Sequence, residues 1–250
     1  MEGMSVLLVH IPVGFEESYP LGLAAIAAPL IKAGFGVEGV DVGRVGISGL
    51  SERLKRGDID VVGLGIWTPG VAQARDVVSA IRDAPNVPSV VTGGPHASLR
   101  PNDVDMDCAV IGEGEQAFLD VVQALASKRS LSGLAGVQCG QDSDYVPREW
   151  MDLGDFPLPD RTVFKITDYH REHMPKKKRF ASAYTSRGCR HHCSYCSTPK
   201  LWGQLHRYRP AEQVVAEWRQ LRVDHGVDGI LVEDDLFTHD KDRVAELCEQ

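Results

Sequence analysis

The sequence predicts an α/β protein: a doubly wound parallel sheet over residues 1–140, a linker over 141–180, and the start of a second β-α body over 181–250. Three observations carry that prediction. Short apolar runs without polar alternation recur through the first half, as strands covered on both faces require. Segments of helical spacing separate them, most of them stopping at a glycine or before a proline. The stretches that follow the strands are rich in glycine, and that end of a doubly wound sheet is where ligands bind.

The elements follow in order. A strand at 6–9 leads through His10-Ile11-Pro12-Val13-Gly14 to a helix at 21–33 that stops at Gly34. A strand at 37–41 precedes a helix at 50–56 closed by Gly57, and a strand at 59–66 precedes a helix at 71–83 that ends before Pro85. Strands at 89–92 and 108–111 come next, then a helix at 115–127 with Phe118, Val121, Val122 and Leu125 at helical spacing. Between 130 and 180 the periodicity weakens. A short hairpin is expected around 137–146, and the prolines of Asp155-Phe156-Pro157-Leu158-Pro159-Asp160-Arg161 forbid helix. Regular structure resumes with a strand at 181–185, a helix at 211–224, a strand at 229–232 and a helical start at Asp240.

Composition bounds the function classes. Hydrophobic residues at 43% and charged residues at 25% exclude disordered, collagenous and disulfide-scaffold chains. The longest apolar run, 21–31, contains Pro29 and is too short for a bilayer, which needs about 20 residues. The start Met-Glu-Gly-Met-Ser lacks the basic end of a signal peptide, so a cytoplasmic protein without a membrane partner is expected. The net charge of −8 belongs to residues 1–150, with 11 basic and 19 acidic side chains; residues 151–250 hold 16 of each. Within them, 161–209 carries 12 Lys/Arg against Asp168 and Glu172, a segment suited to phosphates, carboxylates or RNA. Its tetrad Lys176, Lys177, Lys178 and Arg179 reads as a solvated linker.

Chemistry is concentrated in two places. The first is the set of loops Gly65-Ile66-Trp67-Thr68-Pro69-Gly70, Gly93-Gly94-Pro95-His96 and Gly112-Glu113-Gly114-Glu115, each after a strand, though glycine there could equally serve the turns. No G-x-G-x-x-G follows the first strand and no G-x-x-x-x-G-K occurs, so neither a dinucleotide fingerprint nor a phosphate-cradling loop is present. The second is Cys189-Arg190-His191-His192-Cys193-Ser194-Tyr195-Cys196, directly after a strand. Three thiolates turned to one point leave one iron of a cubane cluster open. The competing readings are zinc completed by His191 or His192, and a cluster whose fourth thiolate is Cys248, Cys108 or Cys139. Structural zinc usually shows paired C-x-x-C knuckles, which are missing, and the three remaining cysteines read as small core residues.

Thr185-Ser186-Arg187-Gly188-Cys189, with Cys193, Tyr195 and Cys196, resembles the cluster loop of the radical S-adenosylmethionine enzymes. That resemblance implies a [4Fe-4S] cluster on Cys189, Cys193 and Cys196, with S-adenosylmethionine chelating the open iron and Tyr195 near its adenine. It also implies an electron donor such as flavodoxin or ferredoxin. Tyr19-Pro20-Leu21-Gly22-Leu23-Ala24, Thr92-Gly93-Gly94-Pro95-His96-Ala97 and Val110-Ile111-Gly112-Glu113-Gly114-Glu115 resemble the Rossmann-like, cobalamin-binding domain of the cobalamin-dependent branch. The implied cobalamin contacts lie in the three loops, at Trp67, Thr68, Gly93, Gly94, His96, Gly112, Glu113, Gly114 and Glu115. The linker 155–161 and Glu233-Asp234-Asp235-Leu236-Phe237-Thr238 resemble the same branch. Glu233 and Asp234 are thereby implied beside the methionyl group, although three acids before a helix could simply favour its N-terminus.

Two departures from the family pattern matter. D-x-H-x-x-G is absent, and Asp168-Tyr169-His170 is followed by His173 rather than glycine, so no histidine ligand to cobalt is expected; His96 is expected to orient backbone or meet the nucleotide tail. A radical S-adenosylmethionine barrel has about six β-α units, and the sequence ends at Gln250 after roughly two, so the chain is expected to be a fragment or to need a partner, and turnover by it alone is not expected. The resemblance implies a methyltransferase that uses a 5′-deoxyadenosyl radical and methylcobalamin on an unactivated carbon or phosphorus of a small molecule. Cyclisation or rearrangement with the same cofactors is the neighbouring reading. An RNA-modifying methylthiotransferase is a second, but residues 1–150 offer only Cys108 and Cys139, too few for the cluster cysteines of those N-terminal domains, so nucleic acid is not an expected partner. A third is a non-catalytic cobalamin-binding module.

Overall fold

The computed structural model describes residues 3–13, 18–140, 145–169 and 178–250. The chain forms two units: Met1–Phe15, Gly22–Glu149 and Pro159–Phe164 make the first, and Glu16–Leu21, Trp150–Leu158 and Lys165–Gln250 the second.

In the first unit the strands β1 (Ser5–His10), β2 (Gly36–Asp41), β3 (Val61–Gly65), β4 (Ser89–Gly93), β5 (Cys108–Val110) and β6 (Val137–Gln138) lie in the order β2-β1-β3-β4-β5-β6. All neighbours are parallel except β5 and β6. The chain leaves β1 for β2 on one side and returns to β3 on the other, so the topological switch lies between the carboxyl ends of β1 and β3. The connecting helices are α1 (Leu21–Lys32), α2 (Val42–Leu54), α3 (Val71–Arg82), α4 (Gly94–Leu99) and α5 (Gly114–Ala126). Leu7, Val9, Val62, Leu64 and Val90 of the sheet pack with Leu50 and Leu54 of α2 and Ala74, Val77, Val78 and Ile81 of α3. Burying each large aliphatic side chain contributes about 1.5–3 kcal/mol. Against β3, α5 comes so close that a Cβ at Gly63 would lie 2.9 Å from both Leu8 Cδ2 and Phe118 Cζ. Gly63 is therefore the seat of the Phe118 ring.

Three sequence expectations change here. The second helix begins at Val42 rather than 50, capped by Asp41, whose carboxylate accepts from Gly43 N at 2.8 Å, and it kinks at Gly46, whose φ is +68°. Gly43, Gly46 and Gly49 hide its apolar periodicity and weaken helix propensity. Gly94-Pro95-His96, expected as loop, opens α4, with Pro95 in the first turn, where its missing N–H leaves nothing unsatisfied. The segment expected as a hairpin around 137–146 gains a sheet partner, with β6 adding to β5 while Gly136 N donates to Val146 O at 2.8 Å; the expected turn, 141–144, lies outside the described residues, as do Lys176, Lys177, His170 and His173.

In the second unit β7 (Phe180–Ala183) pairs in parallel with β10 (Gly229–Val232), and β8 (Ser186–Arg187) pairs antiparallel with β9 (Arg207–Tyr208). Helices α6 (Thr198–Trp202), α7 (Ala211–His225) and α8 (Lys241–Glu249) complete it. The parallel pair with α7 between its strands and α8 after them has the connectivity of successive β-α units. Gly226, left-handed at φ +61°, stops α7, and Asp240 caps α8 by accepting from Arg243 N at 3.0 Å. Ala181, Ala183, Leu221 and Val227 form the core, with Trp218 and Ile230 packed against it. Of the three cysteines read as core residues, only Cys108 is buried; Cys139 is half-buried and Cys248 exposed. Among the described residues no helix is long and apolar enough to cross a membrane.

Candidate functional site

The three glycine-rich segments of the first unit are laced together. Ile66 N donates to Gly93 O at 2.8 Å, and His96 N donates to Ile66 O at 3.0 Å, which joins the segments after β3 and β4. Ser98 Oγ donates to Gly94 O at 2.9 Å and accepts from Gly112 N at 3.0 Å, which adds the segment after β5. Gly94 has φ +86°, and a Cβ there would sit 3.1 Å from Ile66 N and O, so this crossing needs glycine. His96 is buried; its Nδ1 lies 3.1 Å from Thr68 Oγ1 and its Nε2 3.3 Å from the Asp103 carboxylate. That geometry makes His96 a brace between segments. Glu113 and Glu115 are buried at the start of α5, while Trp67 stands 54% exposed at the carboxyl end of β3. Sequence reasoning missed His10, which ends β1 with Asp41 of β2 on one side and Gly65 of β3 on the other, at the switch point. Burial pushes its pKa below the ordinary value, against the pull of Asp41.

In the second unit the acids after β10 do not serve a helix N-terminus, which Asp240 already caps. Glu233 accepts from Ser182 Oγ at 2.8 Å and Asp235 from Thr198 Oγ1 at 2.9 Å. Asp234 accepts three bonds: Thr185 N at 2.6 Å, Thr185 Oγ1 at 2.6 Å and Ser186 Oγ at 2.7 Å. These bonds explain why β7 ends before Thr185, whose N–H serves a side chain instead of the ladder. Because the Ser186 hydroxyl spends its proton on Asp234, it must accept from His206 Nε2, 3.0 Å away. Neutral His206 then accepts the Tyr208 hydroxyl at Nδ1, 3.1 Å away. Burial, reinforced by His239, pushes the His206 pKa down and keeps that tautomer neutral. Arg243 donates to the Thr185 carbonyl at 3.1 Å and to the Arg209 carbonyl at 2.9 Å. Apart from His206 and Tyr208, none of these partners is close in sequence, so periodicity carried no signal for them.

The cysteine loop starts from this anchor. Gly188 has φ +87°, and a Cβ there would overlap the Leu205 carbonyl oxygen. Gly188→Ala is therefore expected to displace the loop, at a strain of at least about 1 kcal/mol, and to reduce several-fold the iron and sulfide retained after anaerobic reconstitution; wild-type iron content in a folded variant would reject this. Cys196 N donates to Cys193 O at 3.0 Å. Cys193 is exposed, Cys189 and Cys196 are half-buried, and Tyr195 is 91% exposed. Among the described residues no three His, Cys, Asp or Glu side chains are gathered as a metal would hold them. His191 faces His239, with ring centroids 6.4 Å apart, and His192 Nδ1 is 3.3 Å from Gln204 Nε2.

Residues 12–122 match the B12 binding domain family. The chain is 30% identical to the cytidylyl-2-hydroxyethylphosphonate methyltransferase of Streptomyces wedmorensis, over 92% of this chain and 53% of that enzyme. The chain thus carries a B12 binding domain. An uncharacterized methyltransferase of Pyrococcus horikoshii is 28% identical over 91% of this chain and 51% of its own length. The cobalamin-dependent S-adenosylmethionine radical enzyme OxsB, solved with aqua-cobalamin, superposes with a TM-score of 0.84 at 19% identity, over 99% of this chain and 37% of that one. The chain spans about half the length of the curated relatives it matches.

Proposed function

We infer that this chain is the cofactor-binding portion of a cytoplasmic, cobalamin-dependent radical S-adenosylmethionine methyltransferase acting on an unactivated carbon or phosphorus of a small molecule. The observation that carries the reading is the joining of a three-cysteine loop, at the end of a parallel strand, to a B12 binding domain in one chain. The naming of the Streptomyces wedmorensis and Pyrococcus horikoshii relatives as methyltransferases supports the choice of reaction.

The donor chemistry fits. Cys189, Cys193 and Cys196 are free thiols on one loop, and a set of three thiolates suits an iron-sulfur cluster with one open iron. Asp234, through Thr185 and Ser186, holds the strand end from which that loop departs. Glu233, beside it, would face the methionyl group, and exposed Tyr195 would meet the adenine. In the first unit Gly93 and Gly112 would let backbone approach a large ligand, Gly94 and Gly114 make room for Ile66 and Ile26 behind them, and exposed Trp67 offers the ligand an apolar ring. Thr68 and His96 keep two of these loops in register, while Glu113 and Glu115 act from beneath as buried supports. When bound, the cluster with S-adenosylmethionine supplies one-electron radical chemistry and cobalamin a methyl carrier. The exposed face at Cys193 and Tyr195 would receive an electron donor of flavodoxin or ferredoxin type.

Electron paramagnetic resonance of the anaerobically reconstituted protein with cob(II)alamin tests this reading. The expected result is a bound cobalt signal without nitrogen splitting, and a reduced cluster signal that shifts on adding S-adenosylmethionine. Cys189→Ala should abolish the cluster signal and leave the cobalt signal. A cluster signal with no bound cobalt would overturn the assignment of the first unit.

A further inference from the structure

We propose that Cys108 and Cys139 are a redox-active dithiol that closes to a disulfide across β5 and β6 when it meets a low-molecular-weight disulfide of the glutathione type. Strand register sets the two cysteines face to face. Ala109 pairs with Gln138 and Val110 with Val137, so the next position of the antiparallel ladder sets Cys108 opposite Cys139. Ile111 N donates to Gly136 O at 2.9 Å, which makes 111 and 136 a hydrogen-bonded pair. Bonded and non-bonded pairs alternate, so 109 and 138 are bonded and 108 and 139 are not. Non-bonded pairs bring their Cα atoms to about 4.5 Å, inside the roughly 4.4–6.8 Å that a disulfide spans.

The two thiols are chemically unequal. Cys108 is fully buried, while Cys139 is half-buried and open to a small reagent. The Cys108 thiol donates a hydrogen bond to Cys139, which holds the Cys139 pKa down at about 7 and pushes that of Cys108 up. The Asp107 carboxylate opposes both thiolates, and its charge is partly met by Arg82, 3.1 Å away, and by Val90 N at 2.6 Å. Cys139 is thus the attacking thiolate and Cys108 the resolving thiol. Cys139 displaces one thiol from the small disulfide and forms a mixed disulfide. Cys108 then attacks the Cys139 sulfur, gives up its proton and releases the second thiol. The dithiol is oxidised by two electrons, and one small disulfide is reduced to two thiols. The new bond would fasten the two-residue edge strand β6 to β5, which leads directly into Gly112 and Glu113.

Peptide mapping without reductant, after the full chain is equilibrated with mixtures of reduced and oxidised glutathione and quenched with acid, tests the proposal. The expected result is a cross-linked pair joining the Cys108 and Cys139 peptides, lighter than their sum by two hydrogens, growing with the oxidised fraction and lost in dithiothreitol. Alkylation of Cys139 should be half-maximal at about pH 7 and move to higher pH in Cys108→Ser. In Cys139→Ser, which keeps the buried member and serves if Cys108→Ser does not fold, Cys108 should stay unmodified. A stable glutathione adduct on Cys139 with no bond to Cys108, pairing of either with a cluster cysteine, or ready modification of Cys108 in Cys139→Ser would overturn it.

Discussion

Replacing Asp234 with alanine should destabilise the second unit by roughly 3 kcal/mol and release the strand end from which the cysteine loop departs. The carboxylate accepts from one backbone N–H and two hydroxyls, and the residues that carry them are buried, Thr185 completely. A hydrogen bond to a charged group contributes about 1.5–3 kcal/mol. The three share one acceptor and do not add, but the alanine also leaves the Thr185 N–H buried without a partner. Urea unfolding followed by tryptophan fluorescence measures the effect. In a Trp67→Phe background the remaining tryptophans, Trp150, Trp202 and Trp218, all belong to the second unit. Asp234→Asn, which keeps one acceptor oxygen, should fall between the parent and the alanine variant. An unchanged midpoint in Asp234→Ala would mean that the three bonds do not hold the strand end.

Glu217→Ala is expected to cost about 3–5 kcal/mol in the same assay, because it strips a buried charge of its partner. Arg209 and Glu217 are 1% and 2% exposed, and Arg209 NH1 donates to Glu217 Oε2 at 2.5 Å and to the Tyr184 carbonyl at 3.2 Å. Without the carboxylate the guanidinium keeps, among the described residues, that carbonyl and the face of Tyr184, 5.0 Å away. Removing both charges in Arg209→Met/Glu217→Leu should recover most of the loss, since a well-packed apolar pair avoids desolvating two ions. The Arg53 pairs with Glu38 and Asp58 in the first unit are the control. Those carboxylates are more than half exposed, and Glu38→Ala should cost less than about 1 kcal/mol. A small effect of Glu217→Ala, matching that control, would show that the buried pair is solvated in a way its geometry does not suggest.

Burial on both faces left its mark on β1, β3 and β4 as unbroken apolar runs, and Gly34 and Gly57 marked helix ends because the left-handed turn there suits a residue without a side chain. The cysteine loop was legible for a related reason: three cysteines lie within eight consecutive residues, so spacing alone shows them. Where glycine served the fold differently the pattern misled, as at Gly43, Gly46 and Gly49 within α2 and at Gly94 opening α4. The acids 233–235 were visible as a cluster, yet their partners, Ser182, Thr185, Ser186 and Thr198, were not.

Local sequence by itself determined the strand and helix segments, the glycine crossings and the cysteine loop, because each depends on backbone preference or on side chains a few residues apart. Only the tertiary structure decided which side chains meet: Asp234 with Thr185, Arg243 with the Thr185 carbonyl, His96 with Thr68, and Cys108 opposite Cys139. The physical reason is that strand pairing and crossover connections bring together residues tens of positions apart, and no local propensity records the partner that a buried polar group will find there.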